Sequence, residues 1–305
     1  MMDGFKQRKM GFSGVSGVIE PDSATLAKLQ RILTDMLLDF QAVAAREHIF
    51  YTMSGGSVLG SIRHKGFIPW DDDIDINIPR KDFERLKAVF AKELGDRYEL
   101  CTPEQTPGHG MSHSQMKKKG TVCRSYNELS KDKPGIAIDF FVLENVYDFP
   151  PLMLLQGGLS LFFGYLLSCR KTWEDMPYLE PYLKESPVLM EAFSKKAKIG
   201  SVIRWIPLDF LARLTRKIYT MCRDPHTKYV AIPSGRKHFF GERYLRKDMC
   251  RRIPGSFEGH TVPLPEGYKG YMERLYGPDY MQVPPPEKRE CHPFMELDLG
   301  EETGN

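Results

Sequence analysis

The chain has little of what marks a disulfide-stapled, zinc-stapled or nucleic-acid-binding protein. Its 305 residues hold six cysteines, Cys101, Cys123, Cys169, Cys222, Cys250 and Cys291. None falls in a CxxC pair or at another short metal-ligand spacing, which argues against a structural zinc site. Six lone thiols in a chain this long imply no disulfide framework and point to reduced thiols in a cytoplasmic setting. An excess of one charge is also missing. Lys and Arg number 43, Asp and Glu 40, and the net charge is +3, so wholesale electrostatic binding to nucleic acid is not indicated. The first fourteen residues contain no apolar run fit for a signal peptide. No internal repeat or low-complexity segment is present. What is left is an ordinary globular composition, 41% hydrophobic and 27% charged, with enough length for one large domain or one domain and a sizeable appendage.

Charge is locally absent from residues 149–169, where L-L-Q-G-G-L-S-L-F-F-G-Y-L-L-S-C follows Pro150-Pro151. The run is close to spanning length, but Gln156, Gly157, Gly158, Ser160 and Gly164 weaken it. It reads first as a helix buried in the protein, next as a surface-lying helix, and last as a transmembrane span. Residues 201–222 interleave Trp205, Leu208, Phe210, Leu211, Leu214 and Ile218 with Arg204, Arg213, Arg216 and Lys217. That basic amphipathic pattern docks on a core or lies on an anionic membrane.

The apolar positions Leu26, Leu29, Leu33, Leu37, Phe40, Val43 and Ala44 recur at helical spacing and predict a helix capped by Asp22 or Ser23. A short strand over 49–53, a short helix over 57–63 and a strand within 68–78, closed by Pro79, follow. Residues 80–92 read as a helix. Strands at 114–118 and 121–126 around Gly120 read as a hairpin, and 136–142 as another strand. Beyond Pro150 the pattern is mostly helical. The composition shift there divides the chain into a core over 22–150 and a part over 151–293 that covers the site, with tails at 1–21 and 294–305.

Residues 53–86 carry the chemistry. A small-residue turn, Gly55-Gly56-Ser57, lies a short way before Asp71-Asp72-Asp73-Ile74-Asp75. Glycines permit close backbone approach to a ligand, and a helix starting at Ser57 aims its amides at phosphate. On a strand Asp73 and Asp75 share one face, about 7 Å apart, with Asp71 beside them and Asp72 pointing away. Carboxylates so placed repel unless a cation intervenes, and magnesium suits oxygen ligands that also meet phosphate. A third carboxylate, Asp139, sits in the nearly all-apolar strand I-A-I-D-F-F-V, where an isolated charge is costly. A metal, a proton taken from an attacking hydroxyl, a salt bridge or a helix cap would each explain it. Arg63, between turn and strand, has the chemistry to hold a phosphate oxygen. His64, Lys65 and Lys117 to Lys119 are further cations, with a solvated face the plainer reading for the lysines. His109, His113 and His292 read as surface or structural residues.

The block G-G-S-V-L-G-S-I-R-H-K-G-F-I-P-W-D-D-D-I-D-I, followed by P-R-K-D-F, closely resembles the LicD family, which includes bacterial phosphocholine transferases and fukutin-type proteins. The helix before it, the strand at 135–141, and Y-G-P-D-Y-M followed by P-P-E-K-R and His292 near the end resemble further family segments. The resemblance implies an α/β (α+β) nucleotidyltransferase fold of the DNA polymerase β type, a mixed sheet flanked by helices. It also implies metal-dependent transfer of a substituted phosphate from a CDP-linked donor, often CDP-choline, to a hydroxyl of a cell-surface glycan acceptor, in some cases lipid-linked. Asp73 and Asp75 match the family's DxD, and Asp139 the third carboxylate, as catalytic and metal-holding residues for Mg2+ or Mn2+. Gly55, Gly56, Ser57 and Arg63 fall to the donor's diphosphate. No nucleic acid partner is implied. A cytoplasmic location at the inner face of the membrane, with peripheral membrane contact through the apolar and basic stretches, fits such an acceptor. Asn77 and Leu143-Glu144 depart from the family pattern and bear on the donor pocket. Two rival readings stand beside this one: a DxD-type glycosyltransferase using a sugar nucleotide, and a non-catalytic binding module on the same fold.

Overall fold

A computed structural model describes residues 15–125, 135–289 and 294–300. A mixed sheet flanked by helices forms the frame. Helix α1 (Ser23–Arg46) begins where Asp22 accepts a hydrogen bond from the Thr25 amide at 2.7 Å, a side-chain N-cap. Its apolar stripe, Leu29, Leu33, Met36, Leu37, Phe40, Val43 and Ala44, is buried against the sheet. Strand β1 (Thr52–Met53), helix α2 (Gly55–His64), strand β2 (Ile74–Pro79) and helix α3 (Arg80–Glu93) follow in close succession. Next come β3 (Tyr98–Cys101), β4 (Ser114–Lys118), β5 (Val122–Ser125) and the long β6 (Ala137–Val146).

The principal sheet runs β1-β2-β6-β4-β3, with β2 and β6 parallel and the other pairs antiparallel. Ile74, Ile76 and Ile78 on β2, and Ile138 and Phe140 on β6, fill one face with almost no exposure. Strand alternation then sends Asp75, Asn77 and Asp139 to the other face.

The expected hairpin around Gly120 does not form. Strand β4 pairs with β3 and β6, while β5 turns away and pairs with β11 (Phe294–Asp298). The span from Ser114 to Ser125 therefore joins two different sheets, which local alternation cannot distinguish from a hairpin. Tyr126 and residues 131–134 lie outside the described residues. Residues 294–298, expected in a tail, are instead a paired strand with Phe294 buried and bridged to Ile19.

The second half opens with helices α4 (Pro150–Leu183), α5 (Pro187–Val202) and α6 (Leu208–Tyr219). Short elements follow: β7 (Tyr229–Ala231), α7 (His238–Gly241), β8 (Arg243–Leu245), α8 (Arg246–Met249), the hairpin β9 (Arg252–Phe257) and β10 (His260–Pro265), and α9 (Tyr268–Tyr276). Strand β7 pairs with Glu144 to Val146 of β6, so the principal sheet continues past the composition shift at Pro150. The reading of 149–169 as a buried helix is overturned. Only 28% of the most apolar stretch of α4 is buried, and Leu152, Leu154, Leu155, Leu161, Phe162 and Tyr165 face outward. The side that packs is the one carrying Gln156, Gly157, Ser160 and Gly164, the small and polar residues that interrupt the run.

Candidate active site

The glycine turn and the acidic segment face each other. Gly55 opens α2 at φ +46°, in the left-handed region that glycine enters without penalty. A β-carbon on Gly55 would lie 2.6 Å from Oδ2 of Asp75, and one on Gly56 would lie 2.8 Å from Oδ2 of Asp71. Only glycine leaves room for the two carboxylates there. Two backbone bonds latch the turn to the strand: the Ser54 amide donates to the Asp75 carbonyl at 2.8 Å, and the Asp75 amide donates to Ser57 Oγ at 2.9 Å. Ser57 is buried and committed to this latch, rather than presented to a diphosphate as its sequence position suggests.

Residues 71–73 precede β2 rather than belonging to it. Ile68 to Asp71 form a turn in which the Asp71 amide donates to the Ile68 carbonyl at 2.8 Å, with Pro69 at the position where its fixed φ favours turning. Gln30 of α1 donates to the Asp71 carbonyl at 2.8 Å and braces the turn from behind. Outside a regular strand, side-chain alternation lapses, so Asp72 does not point away. Carboxylate oxygens of Asp71, Asp72 and Asp73 lie within 4.8 Å of one another. Asp75 and Asp139 are direct partners in the parallel β2–β6 register, one strand spacing apart on the same face. The grouping on the page is thus Asp71-Asp72-Asp73 in one cluster and Asp75 beside Asp139, with Asp75 and Asp71 meeting at the glycines. An all-carboxylate, half-buried donor set fits a hard divalent cation such as Mg2+ or Mn2+.

Asp139 has fixed neighbours. Gln115 Nε2 donates to its Oδ1 at 2.9 Å, and His113 Nε2 lies 3.4 Å from its Oδ2. His113 stacks on Phe141, with ring centroids 5.3 Å apart. It is therefore a site residue, not the surface histidine its sequence position suggests. His109 is structural: it is fully buried, its Nε2 donates to the His113 carbonyl at 2.9 Å, and burial pulls its pKa down to about 3.

Two tyrosines of α9 complete the site, and nothing in the sequence near the acidic block announces them. Tyr271 is buried, and its hydroxyl meets Ser54 Oγ at 2.9 Å, the Gly55 amide at 3.1 Å and Asn77 Nδ2 at 3.4 Å. Ser54 thus gives its side chain to Tyr271, and the tyrosine hydroxyl takes over the helix-capping bond. The Tyr276 hydroxyl stands 3.8 Å from the β-carbon position of Gly55. Desolvation of this hydroxyl, then Tyr271 and the carboxylates of Asp75 and Asp71, hold its pKa well above the ordinary phenol value, although the ring edge is partly exposed. It stays a proton donor beside those anions. Arg236, from the loop after β7, lies over the Tyr276 ring at 6.0 Å.

Arg63 is placed otherwise than a free phosphate clamp. Its Nη1 donates to the carbonyls of Tyr280 and Gln282 at 3.0 Å each, and its Nε donates to His64 Nε2 at 2.9 Å. Burial lowers its pKa, opposed by Tyr276 and Asp71. Arg289 stacks over Trp70 at 4.2 Å. The segment after α9 is so strapped across the acidic turn from both ends. Lys118 and Lys119 are spent elsewhere, over the Tyr98 ring and on the Gly95 carbonyl. The departure at Glu144 is a buried ion pair with Arg80. His292 lies outside the described residues.

Residues 48–145, which hold the turn, the acidic cluster and Asp139, match the family described as LicD/FKTN/FKRP, nucleotidyltransferase domain. This is a LicD-family domain. The similarity extends well past it. The chain is 27% identical over 278 residues to the lipopolysaccharide cholinephosphotransferase LicD of Haemophilus influenzae, covering 89% of this chain and 97% of that protein. Two uncharacterised proteins, from Rickettsia typhi and Rickettsia prowazekii, are 37% and 35% identical over 68 and 58 residues, each match covering 22% of the relative. A match over 89% of this chain takes helices α4 to α6 into the same comparison as the LicD domain.

Proposed function

We propose that this protein is a cholinephosphotransferase of the LicD kind, which moves phosphocholine or a similar substituted phosphate from a CDP-linked donor to a hydroxyl of a cell-surface glycan. One observation carries the reading: the Gly55-Gly56 turn closes on Asp75 and Asp71, and Asp139 stands in register with Asp75. The near-full-length similarity to the Haemophilus cholinephosphotransferase favours phosphocholine over a sugar as the group transferred.

In this reading the acceptor oxygen attacks the headgroup-bearing phosphorus, the bond from that phosphorus to the CMP oxygen breaks, and CMP departs. Asp139, steadied by Gln115 and His113, accepts the hydroxyl proton. Asp71, Asp72 and Asp73, with Asp75 next to Asp71 at the glycine turn, would hold a divalent cation, Mg2+ or Mn2+, which would neutralise diphosphate charge. The Gly56 and Ser57 amides, at the start of α2 where no helical carbonyl lies behind them, face the donor. Tyr276 donates to an oxygen at the glycine turn. Arg236, over the Tyr276 ring, is a second cation for the donor's phosphates beside Arg63, whose Nη1 also holds the carbonyls of Tyr280 and Gln282.

Incubating the protein with CDP-choline, a glycan acceptor and Mg2+ tests the reading. The expected products are CMP and an acceptor heavier by one phosphocholine. An acceptor that gains a sugar from a sugar nucleotide instead, or one that gains nothing from any CDP-linked donor while the protein is folded, overturns it.

A further inference from the structure

The outer surface of helices α4 to α6 carries a second feature, independent of the reaction. Along 151–165 the outward positions of α4 are Leu152, Leu154, Leu155, Leu161, Phe162 and Tyr165, with no charged residue between 149 and 169. These positions recur at helical spacing and form a stripe about 20 Å long. A second ridge comes from the α5–α6 junction, where Val202 is 73% exposed, Trp205 77% and Phe210 51%. The ridges share a foundation. Phe163 and Leu166 of α4 pack with Ile203 and Ile206 of the junction in one small cluster. An apolar surface of this breadth is unusual on a protein that meets only water.

The inner face of α4 opposite this stripe carries Gln156, Gly157, Ser160 and Gly164. Gln156 is completely buried. Its Nε2 donates to the carbonyls of Asn145 at 2.9 Å and Tyr219 at 3.2 Å, and its Oε1 accepts from the Tyr147 amide at 3.3 Å. Gly157 lies against the rings of Phe239 and Phe240, and Gly164 against the Tyr219 hydroxyl. These contacts tie α4 lengthwise to β6 and α6, so crossing a bilayer would strip Gln156 of all three bonds.

Charge selects the occupant. Lys198, Arg204, Arg213 and Lys217 are exposed around the second ridge, and Lys195 beside them is paired with Glu191 at 2.6 Å. The only acid between 192 and 222 is Asp209, whose carboxylate accepts from the Gly108 amide at 2.8 Å. A two-fold dimer through this surface would set these cations against their own copies. A lipid surface with anionic headgroups satisfies both the apolar stripe and the cations around it. We infer that the α4 stripe and the α5–α6 junction form a monotopic docking face for an anionic bilayer, with α4 lying in the interface plane.

Sedimentation of the full chain with vesicles of phosphatidylcholine alone, and of phosphatidylcholine with phosphatidylglycerol, tests this without any catalytic readout, so its outcome is separate from that of the proposed reaction. The expected result is binding to the anionic vesicles that drops by roughly tenfold on neutral vesicles or in high salt. The Phe162→Glu/Trp205→Glu protein, altered only at exposed positions and checked by its melting curve, should lose binding by a similar factor. Its failure to lose binding overturns the proposal, as does a wild-type chain that stays in the supernatant with both vesicles. Bound protein that resists extraction by high salt and alkaline carbonate overturns the surface-lying geometry in favour of a span. Light scattering that shows a dimer dispersed by the same substitutions overturns the lipid as occupant.

Discussion

The site and the outer helical layer use apolar and polar residues in opposite ways. Around β2, β6 and α9, polar groups are drawn inward: Tyr271 serves three partners at once, and Ser57 and Gln30 hold backbone rather than solvent. On the first half of α4 and at the α5–α6 junction, large apolar side chains are turned outward and the polar Gln156 inward. The first region is rigid because each of its hydrogen bonds would be costly to break. The second keeps an unsatisfied hydrophobic surface, whose stability gain waits on a partner outside the chain. Hydrophobic content alone therefore misleads here, and the direction a face points is what separates the two regions.

Substitutions on each side sharpen that contrast, and the largest effect belongs at the acids. Asp75→Asn, isosteric and able to keep both backbone bonds to Ser54 and Ser57, should lower CMP release by about a thousandfold while the melting temperature stays near wild type. Full metal-dependent turnover in a folded Asp75→Asn protein would remove Asp75 from the chemistry.

The next effect is a pH dependence that arises at the rim of the site. Glu242, buried beneath the loop that presents Arg236, has its pKa pushed up from 4.5 to about 7, chiefly by burial. A proton held more tightly in the folded state adds stability that is complete below pH 4.5 and gone above about 7. The change across that window is on the order of 3 kcal/mol. His109 has the opposite sign. Its pKa falls from 6.5 to about 3, so it favours the folded state above 6.5 and withdraws that support as pH drops. The two slopes oppose each other in mildly acidic solution. The measurement is therefore the difference in denaturant midpoint between wild type and Glu242→Gln, followed from acid to alkaline pH. Wild type should lose ground to the variant as pH rises from 4.5 to about 7. Parallel pH curves would show that Glu242 ionises in the folded protein as it does in water.

Smaller effects bracket the comparison itself. Tyr271→Phe leaves Ser54, the Gly55 amide and Asn77 without their shared hydroxyl and should cost about 2 kcal/mol in chemical denaturation. Leu154→Gln on the exposed stripe should change stability by no more than about 0.5 kcal/mol. If the Leu154 change were the more damaging of the two, the stripe would be part of the core.

Much of the site was legible early because its cues are local. The helical stripe and the Asp22 cap, the small-residue turn, and the acids followed by alternating isoleucines all operate within a few residues of themselves. Asp139 stood out because a lone carboxylate in an apolar strand needs an explanation. What local cues could not show were partners. The span around Gly120 reads as a hairpin until β5 finds β11, some 170 residues on. Arg63 reads as a phosphate ligand until the carbonyls of Tyr280 and Gln282 occupy it. His113 and Tyr271 sit in unremarkable surroundings in the chain, and Tyr276 opens the Y-G-P-D-Y-M segment without any local sign that it meets the mouth of α2.

The sequence by itself determined that a glycine turn and a run of acids would exist, and that one long stretch would be free of charge, because composition and short-range periodicity are written residue by residue. Only the tertiary structure decided that Asp75 and Asp139 are neighbours, that α9 caps α2, and that the apolar helix shows its leucines to the outside. Those outcomes depend on strand register and on which helix face meets the sheet, and both are settled by contacts between residues far apart along the chain.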